Sequence, residues 1–256
     1  MILIDTHTHL FSPEFDFDRI ETVQRALSAG VKKFFLPNID STSIPALLAL
    51  EEQFSENCFA MMGLHPCSVN ETYKKELAIM EDWLRKRKFS ALGEIGMDYH
   101  WDKTFISQQK EVFAKQIDLA KEYHLPIVIH QRECFDDLFE IVRSKNDKNL
   151  RGIFHCFSGN FEQAGKIISL GGFKMGVGGV VTYKNSGVAE VLKEIDVKHL
   201  VLETDSPYLT PVPHRGKRNE SAYITFVAQK IADIKGISVE ELAEITTKNA
   251  EELFNH

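Results

Sequence analysis

Eight short apolar runs recur along the chain, each followed by an amphipathic stretch, and this rhythm limits the possible folds more than any other feature. The runs cover 2–6, 31–37, 58–63, 90–94, 126–130, 151–155, 173–178 and 199–203. The stretches at 17–29, 41–54, 73–87, 106–124, 133–144, 161–170, 186–194, 219–233 and 238–254 carry apolar residues at helical spacing. Ser41 and Ser238 precede two of them as expected N-caps, and Gly30 and Gly171-Gly172 stand where helices should stop. Eight strand–helix units in 256 residues match the size of an α/β fold of the single (β/α)8 TIM barrel type. An open doubly wound sheet would carry a Gly-rich phosphate turn after its first strand, and none is present. Residues 1–256 are therefore read as one domain.

The longest apolar runs, Phe34-Phe35-Leu36 and Ile127-Val128-Ile129 among them, are of strand length and far short of the roughly 20 residues of a membrane span. Met1-Ile2-Leu3-Ile4-Asp5 has neither the basic flank nor the cleavage site of a secretory leader. Cys58, Cys67, Cys134 and Cys156 show no CxxC spacing and suit free thiols in a reducing compartment. We expect a cytoplasmic monomer without membrane contact. The formal net charge of −7 argues against a protein that coats nucleic acid by bulk positive charge. It leaves open an enzyme that holds phosphates with metals and a few local arginines.

In a barrel of this kind the reactive side chains sit where strands end. The first run leads into His7-Thr8-His9, the fourth into Glu94, the fifth into His130, the sixth into His155 and the eighth into Glu203-Thr204-Asp205. Side chains at i and i+2 of a strand share a face, so His7 pairs with His9 and Glu203 with Asp205. Closing the barrel sets the first strand beside the eighth and brings Asp205 to the histidine pair. A lone histidine at a strand end is usually structural. Four histidines and two carboxylates at one end of buried strands are costly unless they share a cation. The expected ligands are His7, His9, Glu94, His130, His155 and Asp205. Their mixed donors suit Zn, Mn, Fe or Ni better than Mg. Six ligands suffice for two divalent metal ions about 3.5–4 Å apart, with Glu94 as the bridge because a carboxylate has two oxygens. His124, His199 and His256 have no expected role, and His100 lies near enough in sequence to approach the site.

Ile4-Asp5-Thr6-His7-Thr8-His9-Leu10, Gly63-Leu64-His65-Pro66, Gly93-Glu94-Ile95-Gly96-Met97-Asp98-Tyr99, Pro126 to Arg132, His155-Cys156-Phe157-Ser158-Gly159 and Leu202-Glu203-Thr204-Asp205-Ser206-Pro207 together resemble the TatD family of metal-dependent deoxyribonucleases. The resemblance runs in order from residue 2 to about 220. It implies a TIM barrel, a two-metal site made by the same six residues, and hydrolysis of phosphodiester bonds in DNA, often from the 3′ end. Two positions depart from the family's pattern: Cys134 after the fifth-strand motif, and Ser221 where the late loop usually has proline.

The expected reaction is attack of metal-activated water on phosphorus, with Asp205 binding one metal and orienting the nucleophile. Glu94 and Glu203 complete the catalytic set, Glu203 as auxiliary base, orienter or structural residue. Expected substrate donors are His65, Arg132, His214 and Arg215, with Lys217 and Arg218 in the same basic loop. Tyr99 and Trp101 either stack on bases or pack beneath their loop. The leading expectation is a 3′→5′ exodeoxyribonuclease acting on single-stranded ends of DNA. An ester or amide hydrolase, such as a D-aminoacyl-tRNA deacylase, would use the same centre. A metal-bound scaffold without turnover is disfavoured by the intact ligand set.

Overall fold

The computed structural model describes residues 1–255; His256 lies outside the described residues. Eight strands alternate with helices: β1 (Leu3–Asp5), α1 (Arg19–Ser28), β2 (Val31–Leu36), α2 (Ile44–Gln53), β3 (Cys58–Ala60), α3 (Tyr73–Lys86), β4 (Leu92–Asp98), α4 (Ile106–Glu122), β5 (Ile127–Arg132), α5 (Phe135–Lys145), β6 (Gly152–Phe154), α6 (Phe161–Ser169), β7 (Phe173–Val177), α7 (Val188–Glu194), β8 (Leu200–Leu202), α8 (Ile224–Lys235) and α9 (Val239–Phe254). All strand pairs are parallel, β1 to β3 in one set and β4 to β8 in another. Both seams between the sets are bridged. Met62 pairs with Leu92, and Thr8 pairs with Ser206. Backbone bonds from Thr6 N to Leu202 O (3.0 Å) and Asp205 N to His7 O (2.9 Å) continue the second seam to the strand ends. The ring is the (β/α)8 barrel read from the sequence.

Two apolar layers hold it together. The larger lies between strands and helices. The smaller fills the barrel interior with Ile4, Phe35, Met61, Val128, Ile153 and Val201, all buried. Phe254 of α9 plugs its lower end, its ring stacked 3.7 Å from that of Phe35. Strand periodicity then decides what lies above this plug. Val128 and His130, Ile153 and His155, and Val201 and Glu203 share inward faces, so polar residues follow apolar ones toward the C-terminal mouth. No described helix is long and apolar enough to cross a membrane.

Local signals placed most helix ends. Ser238 caps α9 by accepting from Glu241 N at 3.1 Å, and Gly30 and Gly171 adopt the left-handed conformations that end α1 and α6. Three boundaries differ from expectation. The residue before α2 is Ser43; Ser41 instead donates its hydroxyl to Glu76 Oε1 at 2.9 Å, because the chain from Asn38 makes a polar turn before the helix begins. The start of the expected 219–233 stretch is a short 3-10 segment, Ser221–Tyr223, preceding α8, since Asn219 is drawn away to bond Thr204 O and Tyr208 O. β4 runs past Glu94 to Asp98, with a register shift between Leu92 and Ile95 that re-aims the glutamate.

The loop after β8 also corrects the sequence reading. Arg218 is not a free member of a basic cluster. Its guanidinium grips both carboxylate oxygens of Asp18 at 2.7 Å and bonds Glu14 O, and Arg25 links Asp18 to Glu220. These bonds pull the Asp18 carboxyl well below its ordinary range. Arg218→Ala is expected to cost about 1 kcal/mol of stability, a fall of roughly 2–4 °C in Tm, without raising KM for any substrate. A raised KM with unchanged Tm would return Arg218 to the substrate surface.

Candidate metal centre

At the mouth, Glu94 is held from behind by its own backbone: its N–H bonds Asn38 O at 3.1 Å, and the buried Asn38 side chain is itself anchored on Gly63 O. Gly96 is required beside it, because a Cβ there would fall 2.0 Å from His130 O of the neighbouring strand. The Glu94 carboxylate, itself buried, faces two groups of imidazoles. Oε2 lies 3.1 Å from His7 Nε2 and 3.6 Å from His9 Nε2. Oε1 lies 2.7 Å from His130 Nδ1, 3.4 Å from His65 Nε2 and 3.7 Å from His155 Nε2. Asp205 Oδ1 reaches the same space, 3.5 Å from His9 Nε2, 3.7 Å from His7 Nε2 and 3.9 Å from His155 Nε2. The rings of His7 and His155, from strands on different sides of the barrel, stack at 3.5 Å.

These separations test whether the residues fit a cation. Four tetrahedral ligands about 2.0–2.2 Å from an ion lie roughly 3.2–3.6 Å from one another. His7 Nε2 and His9 Nε2 are 3.3 Å apart, and with Glu94 Oε2 and Asp205 Oδ1 their contacts span 3.1 to 3.7 Å. The donor set, neutral nitrogens with carboxylate oxygens, is the chemistry such an ion takes. In the second group, ligand atoms of His130 and His65 converge with those of Glu94, and His155 Nε2 lies 3.7 Å from the same Oε1.

Each inner histidine of the second group is backed by a carboxylate. His130 Nε2 lies 2.9 Å from Asp98 Oδ2, and His155 Nδ1 lies 3.0 Å from Glu203 Oε1, off the line of a good hydrogen bond. Such partners fix ring orientation and raise basicity. Glu203 Oε1 also accepts from Cys156 N at 2.6 Å, and Gly176 leaves room for the carboxylate, since a Cβ there would meet Glu203 Oε2 at 2.1 Å. Asp98 and Asn38 were missed from sequence. Asp98 lies four residues beyond Glu94 on the same strand, past the point where that strand was expected to stop. Asp5, also unassigned, ties the seam by accepting from Thr204 N (2.9 Å) and Thr204 Oγ1 (2.6 Å), while burial pushes its carboxyl up to about 7.

Electrostatics agree with a cation-binding role. Burial alone would raise Glu94, yet the charges of His7, His65 and His155 and the bond from His130 hold it well below its ordinary value. Asp205 is likewise lowered against its burial by His155, His9 and His7. Burial pulls His130 and His155 down, but Asp98 and Glu94 lift the first to about 9, and Glu203, Asp205 and Glu94 lift the second to about 10. At neutral pH, protein stripped of cations therefore carries a proton on each ring. Cation loading is expected to release about two protons, and cation affinity to rise with pH until about 10. Calorimetry in buffers of different ionisation enthalpy measures the release. The sign for stability is opposite: raised imidazoles stabilise the stripped fold at low and neutral pH, and that contribution fades as pH climbs through about 9 and then 10. Loading without proton release would contradict these assignments.

The remaining expected residues divide. His65 stands at the centre; its Nδ1 accepts from Cys67 N at 3.1 Å, which leaves the ring proton on Nε2, pointing at Glu94. Arg132 follows His130 and lies 5.2 Å over the Trp101 ring. Arg215 lies 4.1 Å over Tyr183, and His214 stacks on Tyr223 at 4.3 Å. Tyr99 and Trp101 separate: Tyr99 packs against the core and donates to Asp137 Oδ2 at 2.8 Å, whereas Trp101 is 69 % exposed. His100 is turned to Glu133 Oε1 at 2.7 Å and takes no place in the cluster. Cys156, whose thiol burial holds well above its ordinary value, lies beside His155 and Asp205, and the four cysteines are unpaired.

Comparison with known proteins bears on this centre. The model of the TatD-related DNase family matches residues 4–255. YabD of Bacillus subtilis strain 168, named an uncharacterized metal-dependent hydrolase, is 40% identical over 254 residues and 99% of each chain. YcfH of Escherichia coli K12, with the same description, is 34% identical over 263 residues, spanning 100% of this chain and 96% of its own. The crystal structure of YjjV, a TatD homolog from Escherichia coli K12, superposes with a TM-score of 0.93 at 32% identity, covering 99% of this chain and 98% of that one.

Proposed function

This chain belongs to the TatD-related DNase family and is a metal-dependent hydrolase, and from that premise we propose that its centre holds two divalent cations and hydrolyses phosphodiester bonds in DNA, trimming strands from the 3′ end. The observation that carries the reading is the division of Glu94 between two imidazole groups, Oε2 toward His7 and His9, Oε1 toward His130, His155 and His65. A carboxylate spread in this way is suited to bridging a cation pair. His7, His9, Glu94 and Asp205 would hold one cation, and Glu94, His130 and His155 the other. The donor set favours Zn, Mn, Fe or Ni over Mg.

Divalent cations held there supply Lewis acidity and lower the pKa of water toward neutrality. The chain's own residues do the rest. Asp205 is the most exposed carboxylate of the set; its lowered pKa keeps it anionic, so that it orients the attacking water and, although a weak base, can take the proton of a water whose own pKa the cations would have lowered. The His65 Nε2–H donates to a phosphoryl oxygen, where charge grows in the transition state. Asp98 and Glu203 keep the rings of His130 and His155 aimed inward; Glu203 acts as a positioning residue. Arg132 at the end of β5, and Arg215 and His214 on the loop after β8, lie at the rim and would hold substrate beyond the scissile bond.

The test is an assay on end-labelled single- and double-stranded DNA with metal-reconstituted protein and a chelator control. Stepwise shortening from the 3′ end is expected. Intact DNA together with amino-acid release from D-aminoacyl-tRNA would replace the nuclease by an acyl hydrolase using the same centre.

A further inference from the structure

The chain has nine arginines. Six have a carboxylate within 4 Å: Arg19, Arg25, Arg85, Arg87, Arg143 and Arg218. Arg151 donates to the carbonyls of Leu253 and His124. Among the described residues, Arg132 and Arg215 are the two left with neither a carboxylate nor a hydrogen-bond acceptor for the guanidinium. Both are exposed, both lie over an aromatic ring, and both stand at the barrel mouth, Arg132 as the last residue of β5 and Arg215 on the loop after β8. A guanidinium stacked in this way spends its face on the ring and keeps its N–H edge free for an oxyanion.

The two pairs flank the cluster. Arg132 ends β5 and Trp101 follows β4, the strands that carry His130 and Glu94. Arg215 and Tyr183 follow β8 and β7, beside the Asp205 loop. Each is fixed in place. Trp101 N and His100 N donate to Asp98 Oδ1 at 3.1 and 2.8 Å, and the other oxygen of Asp98 faces His130. On the other side, Tyr183 donates its hydroxyl to Thr210 O and Val212 N donates to Thr182 Oγ1, both at 2.9 Å. Between those loops opens a cavity of about 520 Å³ lined by Val180, Tyr183, Lys184, Asn185, Val212 and Arg215. Its size lies within the range of small-ligand sites, roughly 300–1,000 Å³. Valine walls suit a base, Asn185 offers an amide to its edge, and Lys184 with Arg215 suits a phosphate. In a chain of net charge −7, local cations without partners are what a polyanion would meet first at this face.

We infer that a single strand of nucleic acid is gripped on both sides of the centre, by the Arg132–Trp101 pair on one side and in the Arg215–Tyr183 cavity, as a nucleotide subsite, on the other. The inference rests on the phosphodiesterase reading and adds to it the path of the strand. It requires that affinity grow with strand length until both grips are occupied.

The test is fluorescence anisotropy of the metal-loaded protein with phosphorothioate-linked oligodeoxythymidylates of about two to about eight nucleotides, which report binding without turnover. Native affinity should rise with length. Arg215→Ala and Trp101→Ala should each weaken the longest oligonucleotide about tenfold. Arg215→Ala should also flatten the slope of log Kd against log salt by about 0.7, the share of one single-strand phosphate. Arg215→Lys should keep that slope while losing affinity. Native-like binding by both alanine variants, or native affinity independent of length, would overturn the inference. Turnover of bis(p-nitrophenyl) phosphate by the native enzyme reports on the centre alone. If this diester is cleaved while the grips fail, the phosphodiesterase reading survives them; if it is inert, that reading falls while anisotropy still decides the grips.

Discussion

Glu94→Gln is expected to lower turnover by about four orders of magnitude while the barrel still folds, because it removes the one side chain shared by both imidazole groups. The amide keeps the shape but presents an oxygen on one side only, and its NH2 group faces nitrogens that must donate electron pairs. The Oε2 contacts to His7 and His9 and the Oε1 contact to His130 cannot both survive as ligand contacts. Folding should persist because the interior plug of Ile4, Phe35, Val128, Ile153 and Val201 lies below the centre and is untouched. Circular dichroism and single-turnover kinetics check the two halves separately. A variant retaining more than about a tenth of native turnover would contradict the assignment.

Asp205→Asn should be nearly as damaging, by about three orders of magnitude, for a different reason. Asp205 lies within 3.9 Å of His7, His9 and His155, and its backbone sits at a left-handed φ of 55°, held by the bond from its own N–H to His7 O. Asparagine tolerates that backbone conformation, so the position should stay built. What is lost is an anion beside the imidazoles and the acceptor for the proton of water. The variant should therefore keep much of its metal while losing the chemical step, so that kcat falls far more than KM changes. Normal rates at controlled metal content would remove Asp205 from the reaction.

How far the sequence disclosed this arrangement differs from residue to residue. His130, His155 and Glu203 were legible because their strands alternate regularly, so each inherits the inward face of Val128, Ile153 or Val201. His7, His9 and Asp205 followed from closing the barrel, which the backbone bonds between residues 6–9 and 202–206 bear out. Glu94 was found by its place at the end of the fourth apolar run rather than by phase, since the register shift in β4 breaks simple alternation. Asp98 went unnoticed because the strand was expected to stop at 94. Arg218 was misread because its partner, Asp18, lies 200 residues away, and no local pattern announces a pairing at that range. The choice between Ser41 and Ser43 before α2 depended on Glu76, a residue of α3, and so on packing that periodicity does not encode. Trp101 and Tyr99, alike in sequence, were parted by an acceptor on α5, Asp137.

Metal content per chain, measured by plasma mass spectrometry after reconstitution and removal of loose ions, tests the central claim most directly. Two divalent cations per native chain, falling to one or fewer in Glu94→Gln, are the expected result. A native chain that retains one ion or none, or a Glu94→Gln variant that still retains two, would contradict a bridged pair.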